Sequence, residues 1–243
     1  MRTDGRRNDE LRTVRITPGF VDYPEGSVLM EMGKTRVLCN ATVEPGVPRW
    51  MQMQNIPGGW ITGEYSMLPR ATQERTPRET HGLGGRTQEI RRLIGRSLRA
   101  GVDLVKLGPR TIILDCDVIQ ADGGTRTAAV TGAYVAMAIA LKKLIGKNEI
   151  PASTLLDPLA AISVGVVGDE VLLDLCYAED SHAEVDVNVV MTSRYEFIEV
   201  QGTAEGKPFS RGRLDDLLAL AKNGIQQLIN LQVAVLVDLF SQK

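Results

Sequence analysis

Histidine and cysteine are scarce in this chain of 243 residues, which has two histidines, His81 and His182, and three cysteines. Two histidines exclude a His-rich metal centre. Cys39, Cys116 and Cys176 lie far apart in apolar, strand-like runs. That offers neither metal-ligand spacing nor an even-numbered disulfide framework, and fits buried thiols in a reducing compartment. Residues 1–8 are polar and lack the apolar centre of a signal peptide, so a cytoplasmic location is expected. The most apolar stretch, 228–240, is interrupted by Asn230, Gln232 and Asp238, which fits a packed helix and not a membrane span. No internal repeat, low-complexity tract or linker marks a boundary, so residues 1–243 are expected to form a single domain.

The hydrophobic fraction of 43% and charged fraction of 24% are those of an ordinary globular protein. The net charge of −2 hides an asymmetry. Residues 49–110 carry 11 Lys/Arg against 5 Asp/Glu, and residues 150–243 carry 6 against 14. A basic centre beside an acidic second half suggests an anionic partner held at one place.

Period-two alternation predicts strands over 13–17, 27–31 and 35–43, with Gly33-Lys34 as a hairpin turn. Residues 49–85 show no clear period and read as a long basic loop. Ile90, Leu93, Ile94 and Leu98 form a helical stripe over 88–99. A strand over 111–119 leads through a Gly-Gly turn into an alanine-rich helix at 127–145. Strands follow over 159–167, 170–175, 184–191 and 197–201, and then a helix over 214–239. The order predicts an α+β (mixed α/β) domain with mixed sheets.

The run from Gln120 through Asp122, Gly123, Gly124, Thr125, Arg126 and Thr127 is the most informative. A helix start offers unpaired N–H groups and a partial positive charge, and glycines let a ligand approach the backbone. Arg126 adds a planar cation suited to phosphate, although an arginine in a first helical turn opposes the dipole unless an anion is near. The run reads as a phosphate seat. The plainer reading is a strand-to-helix turn capped by Asp122 or Thr125. No Gly-Lys-Ser/Thr follows, so it is not a Walker loop. Leu83-Gly-Gly-Arg86 repeats the same logic at a second helix start.

Asp180 and Asp186 flank a short polar turn, and Asp186 interrupts a run of valines. Such a carboxylate needs a wet face or a partner. The pair could hold one Mg2+ or Mn2+ through hard oxygens, or could be surface acids on a turn and an edge strand. Arg70, Arg75, Arg78, Arg91 and Arg92 populate the basic loop and the helix after it, near Trp50, Trp60 and Tyr65, as a nucleic-acid contact would require. Arg96 and Arg99 read as a solvated helix face.

Several stretches together resemble the ribonuclease PH family: Pro57-Gly-Gly-Trp-Ile-Thr-Gly-Glu-Tyr-Ser-Met-Leu-Pro-Arg70, Gly84-Gly-Arg-Thr-Gln-Glu-Ile-Arg-Arg-Leu-Ile-Gly-Arg96, Asp115-Cys-Asp-Val-Ile-Gln-Ala-Asp-Gly-Gly-Thr-Arg-Thr127 and Asn188-Val-Val-Met191, with Arg2-Thr-Asp-Gly-Arg6 at the start. The resemblance implies a fold like the second domain of ribosomal protein S5 and a phosphate-dependent 3′→5′ exoribonuclease that trims tRNA precursors and other RNA. It further implies a reversible reaction with nucleoside diphosphates and a homohexameric ring built as a trimer of dimers. Inorganic phosphate is implied on Arg86, Gly124, Thr125 and Arg126, a catalytic divalent metal on Asp180 and Asp186, and tRNA on the loop of Arg70, Arg75 and Arg78. No membrane or DNA partner is implied. A small-molecule kinase on an S5-like fold and a non-catalytic RNA-binding ring subunit are the competing readings.

Overall fold

Alternation in the first part of the chain becomes an antiparallel meander of β1 (Val14–Pro18), β2 (Gly26–Met32) and β3 (Thr35–Pro45). The β2–β3 turn passes through Gly33 at φ 58. The computed structural model describes Arg2 and residues 4–241; Met1, Thr3, Gln242 and Lys243 lie outside the described residues. Of these, Met1 and Thr3 belong to the polar N-terminal stretch, and Thr3 to the first resemblance motif.

The segment 49–85 departs from the expected long loop. It contains helix α1 (Arg49–Met53) and strand β4 (Trp60–Met67), and residues 54–59 and 68–84 are irregular. β4 hid from the sequence because Gly63 occupies one of its inward positions. A Cβ there would lie 2.6 Å from Cγ2 of Ile94, so the glycine marks where helix α2 (Gly85–Arg99) crosses the strand. The short helix α3 (Leu104–Leu107) follows, and then β5 (Arg110–Gln120). β5 pairs antiparallel with β3 and parallel with β4, giving a mixed five-stranded sheet in the order β1-β2-β3-β5-β4.

Helix α4 (Thr125–Gly146) leaves the end of β5 and is buried on nearly every side. Its alanines and branched residues have no polar face, as expected of a helix enclosed by other layers. One side packs on β2, β3 and β5, the other on β6 (Leu159–Val167). β6, β7 (Glu170–Leu173), β8 (Val185–Thr192) and β9 (Phe197–Ala204) form an antiparallel sheet in the order β7-β6-β8-β9. The β6–β7 turn runs through Gly168 and Asp169, both at positive φ. Between β7 and β8 lies one short helical turn, α5 (Tyr177–Asp180).

Helix α6 (Arg211–Ser241) closes the fold against β6, β7 and β8. α4 and α6 are both long and apolar enough to cross a membrane by length and composition alone, but α4 is the core helix here. Gln232, one of the residues that interrupts the apolar run of α6, is fully buried and donates to the carbonyls of Thr131 and Leu159. A contiguous apolar core takes in Val28 and Ile112 of the first sheet and Val164 and Val187 of the second. The result is a mixed α/β fold with two sheets on either side of α4.

Candidate active site

Two helices begin on a glycine N-cap, one left-handed and one extended. α4 has Gly124 as its N-cap at φ 63, and α2 has Gly84 in that position. Neither start has a side-chain cap or an acidic residue in its first turn. Capping by Asp122 or Thr125, the plainer expectation for the Gly-Gly turn, is therefore absent. Each helix instead carries an arginine at its second position, Arg126 and Arg86. Both cations oppose their helix dipoles, and the first-turn N–H groups lack intrahelical partners. A bound anion would offset that cost.

The two starts face a common region. Arg86 and Arg126 both favour the anionic forms of Asp180, Asp186 and Tyr65. The Tyr65 hydroxyl lies 2.9 Å from Oγ1 of Thr125, and burial holds that phenol above its ordinary value. Arg126 is steadied from two sides, 3.3 Å from Oε2 of Glu89 on α2 and 3.3 Å from Oε1 of Gln201 on β9. Thr127 turns its hydroxyl back on the carbonyl of Gly124 at 2.9 Å.

Asp180 ends α5, and Asp186 lies on β8. β8 is paired on both sides, by β6 and β9, so Asp186 is not on an edge strand. Burial pushes Asp180 above the usual carboxylate range, against the arginines that favour its charge. Burial, and then the neighbouring charge of Asp180, push Asp186 up to about 6. Asn188 donates to Oδ2 of Asp186 at 3.2 Å, while Oδ1 is buried with no partner among the described residues. No group of three or more His, Cys, Asp or Glu side chains placed to hold a metal occurs among the described residues.

The arginines divide into free and engaged groups. Arg70, Arg75 and Arg78 are exposed on the irregular segment 68–84, and Arg92 is exposed on α2. Arg78 and Arg86 line a cavity of about 570 Å3 with Tyr65, Asp115 and Asp117. Arg91 is ion-paired with Glu64 and lies against the Gly63 carbonyl. Arg99 is not part of a solvated face. It donates to the Ile61 carbonyl at 2.9 Å and stacks over Trp60 with its guanidinium carbon 4.4 Å from the ring centre. Arg96 pairs with Glu199. Trp60, Arg91, Arg92, Arg96 and Arg99 line a second cavity, of about 580 Å3, between α2 and β4. Trp50 meets Trp60 edge to face, so of the three aromatics only Tyr65 reaches the Gly-Gly turn.

Residues that the sequence did not disclose complete the site. Glu89 and Gln201 hold Arg126. Arg12 and Thr35 hold the turn before α4. A helical stripe hid Glu89 one turn after Arg86, and Arg12 precedes a strand with no signal of its own.

Comparison with known proteins gives a consistent result. A family model described as 3′ exoribonuclease family, domain 1, matches residues 10–143, and the model for domain 2 of that family matches residues 157–224. A curated relative from Moorella thermoacetica named Ribonuclease PH is 57% identical over 244 residues, covering 100% of this chain and 97% of the relative. A Ribonuclease PH from Bacillus subtilis is 57% identical over 241 residues, covering 98% of both chains. Among solved structures, rice Rrp46 superposes with a TM-score of 0.78 at 21% identity, covering 97% of this chain and 100% of that one. A subunit of the Archaeoglobus fulgidus exosome with RNA bound to the active site gives a TM-score of 0.74 at 23% identity, covering 93% and 91%. These two likenesses concern the fold.

Proposed function

The chain belongs to the 3′ exoribonuclease family of ribonuclease PH, and from that premise we propose how its site acts on RNA. The activity is phosphorolytic: RNA is shortened from its 3′ end, with phosphate as co-substrate. Orthophosphate sits between the two glycine-capped helix starts, on Arg86, Arg126 and the backbone at Gly124 and Thr125. The observation that carries this is the pair of uncapped helix starts, each with an arginine at its second position, both acting on Asp180 and Asp186.

Holding phosphate beside the last phosphodiester replaces a bimolecular encounter between two anions, and the guanidiniums offset their repulsion. A phosphate oxygen forms a bond to the terminal phosphorus as the bond to the penultimate 3′-oxygen breaks. That oxygen takes a proton brought in by the attacking hydrogenphosphate, and a nucleoside diphosphate leaves. One phosphoester is exchanged for a diphosphate linkage, so the reaction also runs in reverse. A histidine base is not required, because phosphate is already an oxyanion at neutral pH.

The donors at Asp180 and Asp186 fit a hard divalent cation, Mg2+ or Mn2+. One oxygen of Asp186 is buried without a partner among the described residues, and the charge of Asp180 raises the Asp186 carboxyl further. Such an ion, when bound, neutralises charge at the scissile phosphoryl and the departing oxygen. Arg70, Arg75, Arg78 and Arg92 are free to meet RNA, and Arg91 contributes less because Glu64 holds it. The RNA is a tRNA precursor with a 3′ extension, trimmed in the cytoplasm. The assembly is a homohexamer, a trimer of dimers, consistent with the exposed Leu231, Val233 and Val237 of α6.

Trimming of a 3′-extended tRNA with and without orthophosphate tests this reading. It predicts nucleoside diphosphates only when phosphate is present, and tail addition when nucleoside diphosphates are supplied instead. Equal degradation without phosphate, or ATP turnover without RNA, would overturn it. An RNA-binding protein inert under both conditions would be a non-catalytic ring subunit.

A further inference from the structure

The turn that holds phosphate is built from two consecutive glycines, Gly123 at φ 75 and Gly124 at φ 63. Glycine makes the turn possible and also makes its peptide groups easy to flip. A flipped peptide would aim a carbonyl oxygen at the anion instead of an N–H, and a seat of backbone donors would become repulsive. The fold therefore needs something behind the turn to hold its carbonyls back.

Arg12 occupies that place. It is 5% exposed and grips the fully buried Asp174: Nη2 lies 2.6 Å from Oδ1, Nε 3.0 Å from Oδ2, and its backbone N–H donates to Oδ2 at 2.9 Å. The other side of the guanidinium faces the turn. Nη1 donates to the carbonyl of Asp122 at 2.5 Å, and both terminal nitrogens lie 3.5 Å from the carbonyl of Gly123. Thr35 closes the same peptide from the start of β3. Its Oγ1 accepts from the Asp122 N–H at 2.9 Å and donates to the Gly123 carbonyl at 2.7 Å. The contact is tight, since a Cβ on Gly124 would lie 3.0 Å from Nη2 of Arg12.

We infer that Arg12 is a positioning residue for orthophosphate: anchored on Asp174, it holds the carbonyls of Asp122 and Gly123 away from the anion so that the following N–H groups face it. The inference rests on the reading of this turn as the phosphate seat. Asp174 alone does not account for the arrangement. A lysine would neutralise it, but only the fork of arginine reaches Asp174 and both turn carbonyls at once.

The test compares the wild type with Arg12→Lys and Thr35→Val, after circular dichroism shows each to be folded. Arg12→Lys keeps a cation against Asp174, and Thr35→Val keeps the shape of the side chain. The KM for orthophosphate is expected to rise about tenfold in Arg12→Lys and about threefold in Thr35→Val, with kcat at saturating phosphate and the KM for RNA within about threefold of wild type. The rise in melting temperature produced by orthophosphate alone should shrink in the same order. A purely structural role would lower kcat through loss of active molecules and leave the phosphate KM unchanged. That result in the folded variants overturns the inference, and Thr35→Val decides alone if Arg12→Lys does not fold. A wild type that needs no phosphate overturns instead the reading of the seat, so the two failures are distinguishable.

Discussion

Glu179 and Asp180 are neighbours in the chain and opposites in environment. Burial acts to raise the pKa of both carboxyls. Glu179 overcomes it: Arg2 donates to both oxygens at 2.7 Å, the Cys176 N–H donates to one of them, and the carboxyl ends below its ordinary value. Asp174, fully buried, is likewise gripped by Arg12. Asp180 and Asp186 have cations near them but no guanidinium locked onto their oxygens, and both end above their ordinary values. The paired acids bind the N-terminal arm to the second sheet. The unpaired acids are left with unmet demand for positive charge, the environment in which the proposed cation would be held.

The predictions set these two groups against each other. Arg126→Ala removes the cation that faces the open pair beside the Gly-Gly turn. Phosphorolysis should fall by about a thousandfold while RNA affinity stays within about threefold, as single-turnover assays and filter binding can show.

Asp186→Asn should cost about a hundredfold in turnover and yet stabilise the metal-free protein. The folded pKa of about 6 lies above the ordinary value, so this carboxyl supports folding below about pH 4 and loses that contribution as pH rises through 6. The asparagine variant, melted in EDTA, should be more stable by roughly 2 kcal/mol at pH 7.5 and show no gain at pH 4.

Glu179→Gln should do the reverse. It leaves the buried Arg2 without its counter-charge, and stability should drop by about 3 kcal/mol in urea unfolding. Activity should follow the folded fraction. The wild type's apparent affinity for Mg2+ should weaken about tenfold per unit below pH 6 and level off above pH 7 as Asp186 ionises. The smallest effect sharpens the same contrast among cations. Arg78→Ala, which removes an exposed arginine, should raise the KM for RNA about fivefold, whereas Arg91→Ala, which removes one held by Glu64, should change it less than twofold.

What could be read in the sequence was whatever local pattern expresses. Alternation in 27–31 and 35–43, and the Gly-Gly turn between β5 and α4, correspond to observed elements because their periodicity is set by their own residues. β4 was hidden because Gly63 is shaped by a helix thirty residues away. The candidate seat was legible because glycine and arginine at a helix start are a local signal. Its supports were not: Arg12 acts on residues 110 and 162 positions away, and Gln201 meets Arg126 across 75. A single sequence has no local mark for a contact made only after two sheets close on a common helix.

Phosphorolysis makes orthophosphate itself part of the product. Trimming a 3′-extended RNA with 18O-labelled orthophosphate, followed by mass spectrometry of the released nucleotide, tests it most directly. Nucleoside diphosphate with the label in its terminal phosphoryl group is expected; unlabelled nucleoside monophosphate, formed at the same rate, would show that water and not phosphate is the nucleophile.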